Sequence, residues 1–292
     1  MKNTRLPRLF SAMGFACLLT LGAHAQTSYL NETFDAETIG NAPNDAAVRR
    51  TGLVTVEAGT GLIGTDNVAH FNDTSTSAGG ILEYNVGESA LGSLYVSFDI
   101  FNNASGNTGS ATNPLTFSIG NWSTSTSVLL NATATRSFAL EISQTGATNT
   151  LRIRTASGGI LFQTTYDMAA VNNFKVFIND HSTTTVDYLI PDTTSVATLS
   201  ADSAVIYIND SLVSGSVSSG FALNTTSASG YVLGDATLGR IGFNTTSSTT
   251  GDFLIDNIYA SSIPSAVPEP SASAALAGLG LLGFAFWCRR RS

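Results

Sequence analysis

Cysteine is absent from the central part of this 292-residue chain. The only two cysteines, Cys17 and Cys288, lie in apolar segments at the two ends. A disulfide framework and a cysteine metal site are therefore excluded for the central part. Its stability must come from a hydrophobic core, with or without a bound metal ion.

Positive charge is also scarce. Six of the 13 Lys and Arg residues lie at the ends of the chain, at Lys2, Arg5, Arg8, Arg289, Arg290 and Arg291. The central part keeps seven, against twenty of the 21 acidic residues, which is a net charge of −13. A body this acidic should repel nucleic acid and anionic lipid, so no nucleic-acid partner is expected.

Helical periodicity is missing as well, since no central segment keeps a 3.6-residue apolar period for three turns. Short alternating segments recur instead, each followed by Asn, Asp, Gly or Ser, which is typical of half-buried strands with tight turns. They are Leu94–Ile100, Leu115–Ile119, Phe138–Ile142, Leu151–Arg154, Phe174–Ile178, Val205–Ile208 and Phe253–Tyr259, with an early strand at Glu32–Asp35. The pattern predicts an all-β, antiparallel two-sheet sandwich of the jelly-roll type.

The N-terminus has the form of a secretion signal. A basic start precedes an apolar stretch from about Leu9 to Leu21, and Ala23-His24-Ala25 follows it as an A-x-A cleavage site. Residues 1–25 are therefore predicted to be a signal peptide, and the mature chain to begin at Gln26. The alternative is an uncleaved membrane anchor.

The C-terminus divides into three parts. Residues 263–271 form a Pro-rich spacer, residues 272–288 an uncharged apolar helix, and residues 289–292 a basic tail predicted to stay in the cytoplasm. The apolar stretch to Trp287 would be about 24 Å long as a helix, a little short of a hydrocarbon core of about 30 Å. The sandwich domain is assigned to residues 26–262, between the two ends.

The tail resembles the PEP-CTERM sorting signal in Val267-Pro268-Glu269-Pro270, the apolar span and the cluster Arg289-Arg290-Arg291. The resemblance implies recognition by an exosortase, a membrane-embedded processing enzyme of Gram-negative bacteria that make extracellular polysaccharide. It implies a precursor anchored in the inner membrane and a product at the cell surface or in the extracellular matrix. The alternative is a plain C-terminal membrane anchor.

The central part resembles concanavalin A-like and laminin-G-like sandwiches in four short segments. These are Val96–Ile100, Phe174–Asp180, Val205–Asp210 and Ile255–Ile258. Pairing of the first and last strands is expected from the jelly roll. Because this fold carries lectins, hydrolases and adhesion modules alike, the resemblance implies a fold and no function.

Catalytic patterns are missing from the sequence. The E-x-D-x-x-E pattern of glycosidases with this fold does not occur, and neither do G-x-S-x-G or H-E-x-x-H. Glu141 is interpreted as a solvated carboxylate on a strand, and His70 and His181 as structural or solvated. We therefore expect a protein that is not an enzyme.

Calcium is the one metal that the acidic composition favours, since it binds six to eight oxygen ligands. Pairing of the first and last strands would gather Glu32, Asp35 and Asp256. The prediction is a structural calcium site at the joined termini, and the alternative is that these residues are surface acids.

The resulting expectation is an exported, non-enzymatic surface or matrix protein that binds extracellular polysaccharide. Aromatic side chains on a sheet face could stack on sugar rings, and the candidates are Tyr95, Trp122, Tyr166 and Tyr207. Two alternatives stay open: a secreted glycan hydrolase or lyase with this fold, and a purely structural envelope protein.

Overall fold

The computed structural model describes residues 26–264 except 44–46, 75–76, 88–90, 104–114, 123–134, 146–147, 155–159, 168–169, 214–215, 219, 224–236 and 246–250. Residues 26–265 form one compact unit. The predicted signal peptide with Ala23 and Ala25, and the tail from residue 265 onward, lie outside the described residues. Within the described ranges, no helix has the length and hydropathy that a membrane crossing needs.

The chain forms two large antiparallel sheets, with strands numbered along the sequence. Sheet A has nine strands: β1 (Ser28–Glu32), β3 (Val54–Ala58), β4 (Asn67–Asp73), β6 (Ser93–Asn102), β11 (Asn172–Asn179), β14 (Ser203–Ile208), β15 (Ser211–Leu212), β16 (Phe221–Ala222) and β18 (Gly251–Ser261). Its main path runs β15-β14-β11-β6-β18-β4-β3, while β1 pairs with β18 and β16 with β14.

Sheet B has seven strands in the order β10-β9-β8-β7-β17-β5-β2. They are β2 (Ala47–Arg50), β5 (Ile81–Asn85), β7 (Leu115–Asn121), β8 (Arg136–Thr145), β9 (Thr148–Arg154), β10 (Ile160–Thr165) and β17 (Leu238–Asn244). A separate hairpin consists of β12 (Val186–Leu189) and β13 (Val196–Leu199). The prediction of an all-β, antiparallel two-sheet sandwich is confirmed.

Residue alternation decides which side chains enter the core. In β6, Leu94, Val96, Phe98 and Ile100 are buried, while the residues between them are only half-buried. Side chains of a strand point alternately to opposite faces, so one face of β6 packs inside the sandwich and the other forms the outer face of sheet A.

Phe98 lies at the centre of the contact between the two sheets. Its ring centroid is 5.1 Å from that of Phe174 within sheet A, and 4.8 and 4.9 Å from those of Phe117 and Phe243 in sheet B. All four rings are fully buried. Aromatic pairs at such separations add to the free energy gained by burying their surface, so this cluster holds the two layers together.

The first and last strands are paired, as predicted. In β18, Ile258 lies opposite Glu32 of β1, and Ser261 lies opposite Ser28. The predicted position of the early strand, Glu32–Asp35, is wrong, because the strand covers Ser28–Glu32 and ends there. Phe34 has a φ of 59°, a left-handed conformation outside the β region, and its buried ring enters the core from this turn.

The hairpin β12–β13 covers part of the outer face of sheet A. Tyr188 of β12 is fully buried against Phe177 and Tyr207, which point outward from sheet A, and Ile263 joins the same cluster after the last strand. Strands β11 and β14 are therefore buried on both faces where the hairpin covers them. The hairpin also forms a wall beside the part of sheet A that it leaves uncovered.

Replacing Phe98 with alanine tests the contact between the sheets. The variant leaves a cavity between the three remaining rings, and we expect a loss of about 3–5 kcal/mol in the free energy of unfolding. Denaturant unfolding of the purified full-length chain in detergent measures it. Phe101→Ala on the same strand is the control, because Phe101 is half-buried on the outer face; equal losses in the two variants would contradict the assignment.

Candidate functional site: a tyrosine cleft on the outer face of sheet A

An open cleft of about 350 Å³ lies between the hairpin and the uncovered part of sheet A. Its lining residues are Gln26, Tyr95, Lys175, Phe177, Leu189, Pro191, Tyr259 and Pro264. Tyr95 and Tyr259 are half-buried, and their ring centroids are 6.3 Å apart at an interplanar angle of 61°. The two rings lie at an angle to each other in the cleft lining, so a flat ligand can stack on one ring and touch the edge of the other.

Strand register brings the polar and aromatic lining residues into one row. Ser97 of β6 lies opposite Lys175 of β11 on one side and opposite Tyr259 of β18 on the other. Tyr95, two residues earlier on β6, projects from the same face and packs on Phe177 at 4.9 Å between ring centroids. Regular alternation along β6 and β11 therefore places Tyr95, Lys175 and Phe177 in the cleft lining.

Tyr259 reaches this face through a bulge in β18. The register to β6 shifts between Asp256 and Tyr259, and Asn257 in the bulge has a φ of 52°. A bulge adds one residue to one strand, so the outward positions change from Asp256 to Tyr259 while Ile258 turns into the core. Asparagine tolerates the left-handed conformation better than most residues, which suits it to this position.

Lys175 is the cation of the cleft, and it is paired. Its Nζ contacts Oδ1 of Asp210, which follows β14 in a turn where Asn209 and Asp210 both have positive φ. The predicted strand segment Val205–Ile208 is thus followed by a tight hairpin turn. Burial raises the pKa of Tyr95; the charge of Lys175 lowers this pKa, and that of Asp210 raises it.

An acidic band lies next to the cleft on the same face. Asp99 of β6 is directly opposite Asp256 of β18. Asp99 accepts hydrogen bonds from Nδ2 of Asn173 at 2.7 Å and from Nδ2 of Asn257 at 2.9 Å. Burial raises the pKa of Asp256 to about 7, although the backbone N–H of Asn257 opposes the shift.

The predicted calcium ligands are only partly brought together. The charge of Asp35 acts on Asp256, and Asp66 and Asp99 act on it as well. Glu32 instead accepts a hydrogen bond from the backbone N–H of Phe34 at 2.9 Å. The described residues contain no group of three His, Cys, Asp or Glu side chains arranged to hold a metal ion, so the donor set does not fit calcium as placed and the site stays a prediction.

Among the four aromatic residues proposed for sugar stacking, Tyr95 lines the cleft. Tyr207 is buried beneath the hairpin, where its hydroxyl lies 2.9 Å from that of Tyr188. Tyr166 packs half-buried against the main core. Trp122 is 42% exposed just after β7, away from the residues that line the cleft. Tyr259, the other ring of the cleft, was missed because the bulge breaks the alternation of β18.

The interpretation of Glu141 as a solvated carboxylate is wrong. Glu141 is buried on sheet B and accepts a hydrogen bond from Nη1 of Arg152 at 3.2 Å. Glu83 is buried on the same sheet and is paired with Arg240 at 3.2 Å. Three strand steps separate the two glutamates, about 14 Å at the usual spacing between strands. Carboxylates that cleave a glycosidic bond lie about 5–10 Å apart, so these two do not form such a pair.

His70 is structural in this fold. Its Nε2 and Nδ1 each lie 2.7 Å from a carboxylate, Asp252 of β18 and Glu57 of β3 respectively. Burial lowers the pKa of His70, but the two carboxylates outweigh this effect and raise it above its ordinary value. The imidazole thus joins β3, β4 and β18 on the outer face of sheet A.

Comparison with protein families matches residues 266–291 to the PEP-CTERM protein-sorting motif. The chain therefore carries the sorting motif that the tail predicted, and Val267, Pro268, Glu269, Pro270 and the three tail arginines fall within the match. The motif implies an exported protein that is processed at the membrane by an exosortase.

Comparison with solved structures finds similar sandwiches at low identity. The T. cruzi calreticulin globular domain is 11% identical, with a TM-score of 0.47, 80% of this chain and 87% of that chain covered. A carbohydrate esterase of bacteriophage phi24B (10%, TM-score 0.48; 82% and 100% covered) and the carbohydrate recognition domain of Emp47p (10%, TM-score 0.45; 83% and 100% covered) are also similar. Similarity at this level says nothing about a ligand or a reaction. No curated protein matches by sequence.

Calcium binding is testable through Asp256. A calcium ion that bound here would offset the repulsion among Asp35, Asp66, Asp99 and Asp256, so the calcium hypothesis requires that calcium raise the melting temperature of the full-length chain and that EDTA lower it. Asp256→Asn keeps an acceptor for the N–H of Asn257 but removes the charge, and should abolish the difference between calcium and EDTA. An unchanged melting temperature of the unmodified chain in EDTA would end the calcium hypothesis.

Proposed function

We propose that this chain is an exported, non-enzymatic protein of the cell surface or extracellular matrix that binds extracellular polysaccharide in the tyrosine cleft. The observation that carries the binding proposal is the cleft itself: an open concavity with two half-buried tyrosine rings in its lining. The sorting motif at residues 266–291 supports the export and processing part.

The lining of the cleft suits a sugar better than an apolar ligand. Two phenol rings supply faces and edges for the C–H surface of a sugar ring, while Lys175 and the amide of Gln26 supply polar groups at the rim. The volume of about 350 Å³ lies at the lower end of the range for small-molecule sites. A site of this size takes a short stretch of a polymer.

The export route that the sorting motif implies supports the same proposal. An exosortase substrate of a Gram-negative bacterium that makes extracellular polysaccharide would meet that polymer after processing. Because the central part carries a net charge of −13, it would not be attracted to anionic lipid or nucleic acid in the same environment. In this proposal the partners are an exosortase, a membrane before processing and a polysaccharide afterwards.

One observation favours the second candidate, a glycan hydrolase. Asp99 and Asp256 are direct neighbours across two strands, which places their Cβ atoms about 5 Å apart. The environments of the two carboxyls differ: Asp99 accepts two amide hydrogen bonds, and burial raises the pKa of Asp256 to about 7. Paired carboxyls of unlike environment can act as acid and nucleophile in glycoside cleavage.

The two candidates separate in a sugar-release assay. We expect the purified full-length chain to release no reducing ends from bacterial extracellular polysaccharide during long incubation. Release that disappears in Asp256→Asn would establish the hydrolase and overturn the non-enzymatic proposal. Release that persists in this variant would indicate a contaminating enzyme.

Binding through the cleft predicts a dependence on both tyrosines. Tyr95→Ala and Tyr259→Ala should each weaken polysaccharide binding by about fivefold or more, since removing an aromatic anchor from a binding site typically costs over 1 kcal/mol. Affinity electrophoresis of the full-length chain in polysaccharide gels measures the loss. Tyr95→Phe and Tyr259→Phe keep the rings and should retain most of the binding.

Trp122→Ala is the matched control, because Trp122 is an exposed aromatic residue away from the cleft. It should leave the affinity unchanged. If Trp122→Ala abolishes binding and the tyrosine variants do not, binding occurs elsewhere. If the chain binds no polysaccharide at all, a purely structural envelope role replaces the proposal.

A further inference from the structure

The cationic residues of the central part are distributed unevenly between the two sheets. Six of the seven lie on strands of sheet B, at Arg49, Arg50, Arg136, Arg152, Arg154 and Arg240. Lys175 on β11 is the seventh, and it is the one Lys or Arg of sheet A. Among the Lys and Arg residues of the central part, Lys175 is therefore the one that lines the cleft on the outer face of sheet A.

That one cation is already compensated. Nζ of Lys175 contacts the carboxylate of Asp210, and both groups act on the neighbouring Tyr95 with opposite sign. A ligand carboxylate in the cleft would therefore meet the Lys175–Asp210 ion pair, which has no net positive charge to attract it. Displacing Asp210 to bind an incoming carboxylate would only exchange one anion for another.

The other charged side chains near the cleft, among the residues that the structure describes, are negative. Asp192 is exposed and directly follows Pro191, which lines the cleft. Asp99 is two residues from Ser97 on β6, about 7 Å along the strand, and Asp256 lies opposite it. The distance from Ser97 to Asp99 is within a Debye length of about 8 Å at physiological ionic strength, so the charge of Asp99 acts on a ligand that lies over Ser97.

We infer that the cleft takes a neutral sugar unit and rejects a carboxylated one. This inference rests on the proposed function, because it names the ligand class of the same cleft. Hydroxyl groups of a neutral sugar can donate to Asp210 and accept from Lys175 without breaking the charge balance. A uronic acid brings a negative charge that no uncompensated cationic side chain of the central part meets.

Matched oligosaccharides test this directly. Calorimetry of the full-length chain in detergent would compare tetramers of glucose, mannose and galactose with the corresponding tetramers of their uronic acids. Gln26 lines the cleft, and cleavage of the signal before it would create an α-amino group there. The titrations are therefore done at pH 9, where such a group is uncharged. At low salt, each neutral tetramer that binds should do so about tenfold or more tightly than its acidic counterpart, and high salt should narrow the gap.

A second test of the inference uses charge variants of the Lys175–Asp210 ion pair. Asp210→Asn releases the positive charge of Lys175, so it should shift the preference toward the acidic tetramers, whereas Lys175→Gln should widen the gap. Asp187→Asn is the control, since Asp187 is an exposed hairpin residue bonded to Thr198 and makes the same change of charge. It should leave the preference unchanged.

The outcomes separate the two levels of the proposal. Equal or tighter binding of acidic tetramers, with loss of binding in the tyrosine variants, would overturn the neutral-sugar inference and keep the polysaccharide-binding function. Binding of neither set, or binding that survives replacement of both tyrosines, would overturn both.

Discussion

The contact of Phe98 with Phe174, Phe117 and Phe243 is the interaction on which the rest of the structure depends. The central part has no disulfide, so the two sheets stay together mainly through buried apolar surface. Once β6 is fixed by its inward residues, its outward residues have fixed positions as well. Tyr95, Ser97 and Asp99 alternate with the core residues of one strand, and the cleft and the acidic band follow from that alternation.

Much of the fold could be predicted because amphipathic strands carry their pattern in the sequence. β6, β7, β8, β11, β14 and β18 were each recognised from alternating or continuous apolar residues. β17 was missed, because Gly239 and Gly242 remove side chains and Arg240 occupies a position that is fully buried. Its burial depends on the pairing with Glu83, a partner 157 residues away in sequence, and no local pattern indicates such a pair.

The site was less predictable than the fold, because it too depends on contacts that leave no local pattern in the sequence. The position of Tyr95 follows from regular alternation, but that of Tyr259 depends on a bulge. The wall of the cleft depends on a hairpin whose connecting loop contains Pro191. One signal was present: Val205-Ile206-Tyr207-Ile208 is apolar without a break, which is typical of a strand buried on both faces. That pattern indicated a cover over sheet A, and it argued against Tyr207 as an exposed stacking residue. Glu141 was misjudged because its partner Arg152 lies on the next strand.

The position of β18 has a mechanical consequence. This last strand is paired along its length, with β6 on one side and with β4 and then β1 on the other. A pull on the chain beyond Ser261 runs along the strand axis, perpendicular to its antiparallel hydrogen bonds, so those bonds share the load and must break together. A pull at this end of the domain thus loads β18 in shear.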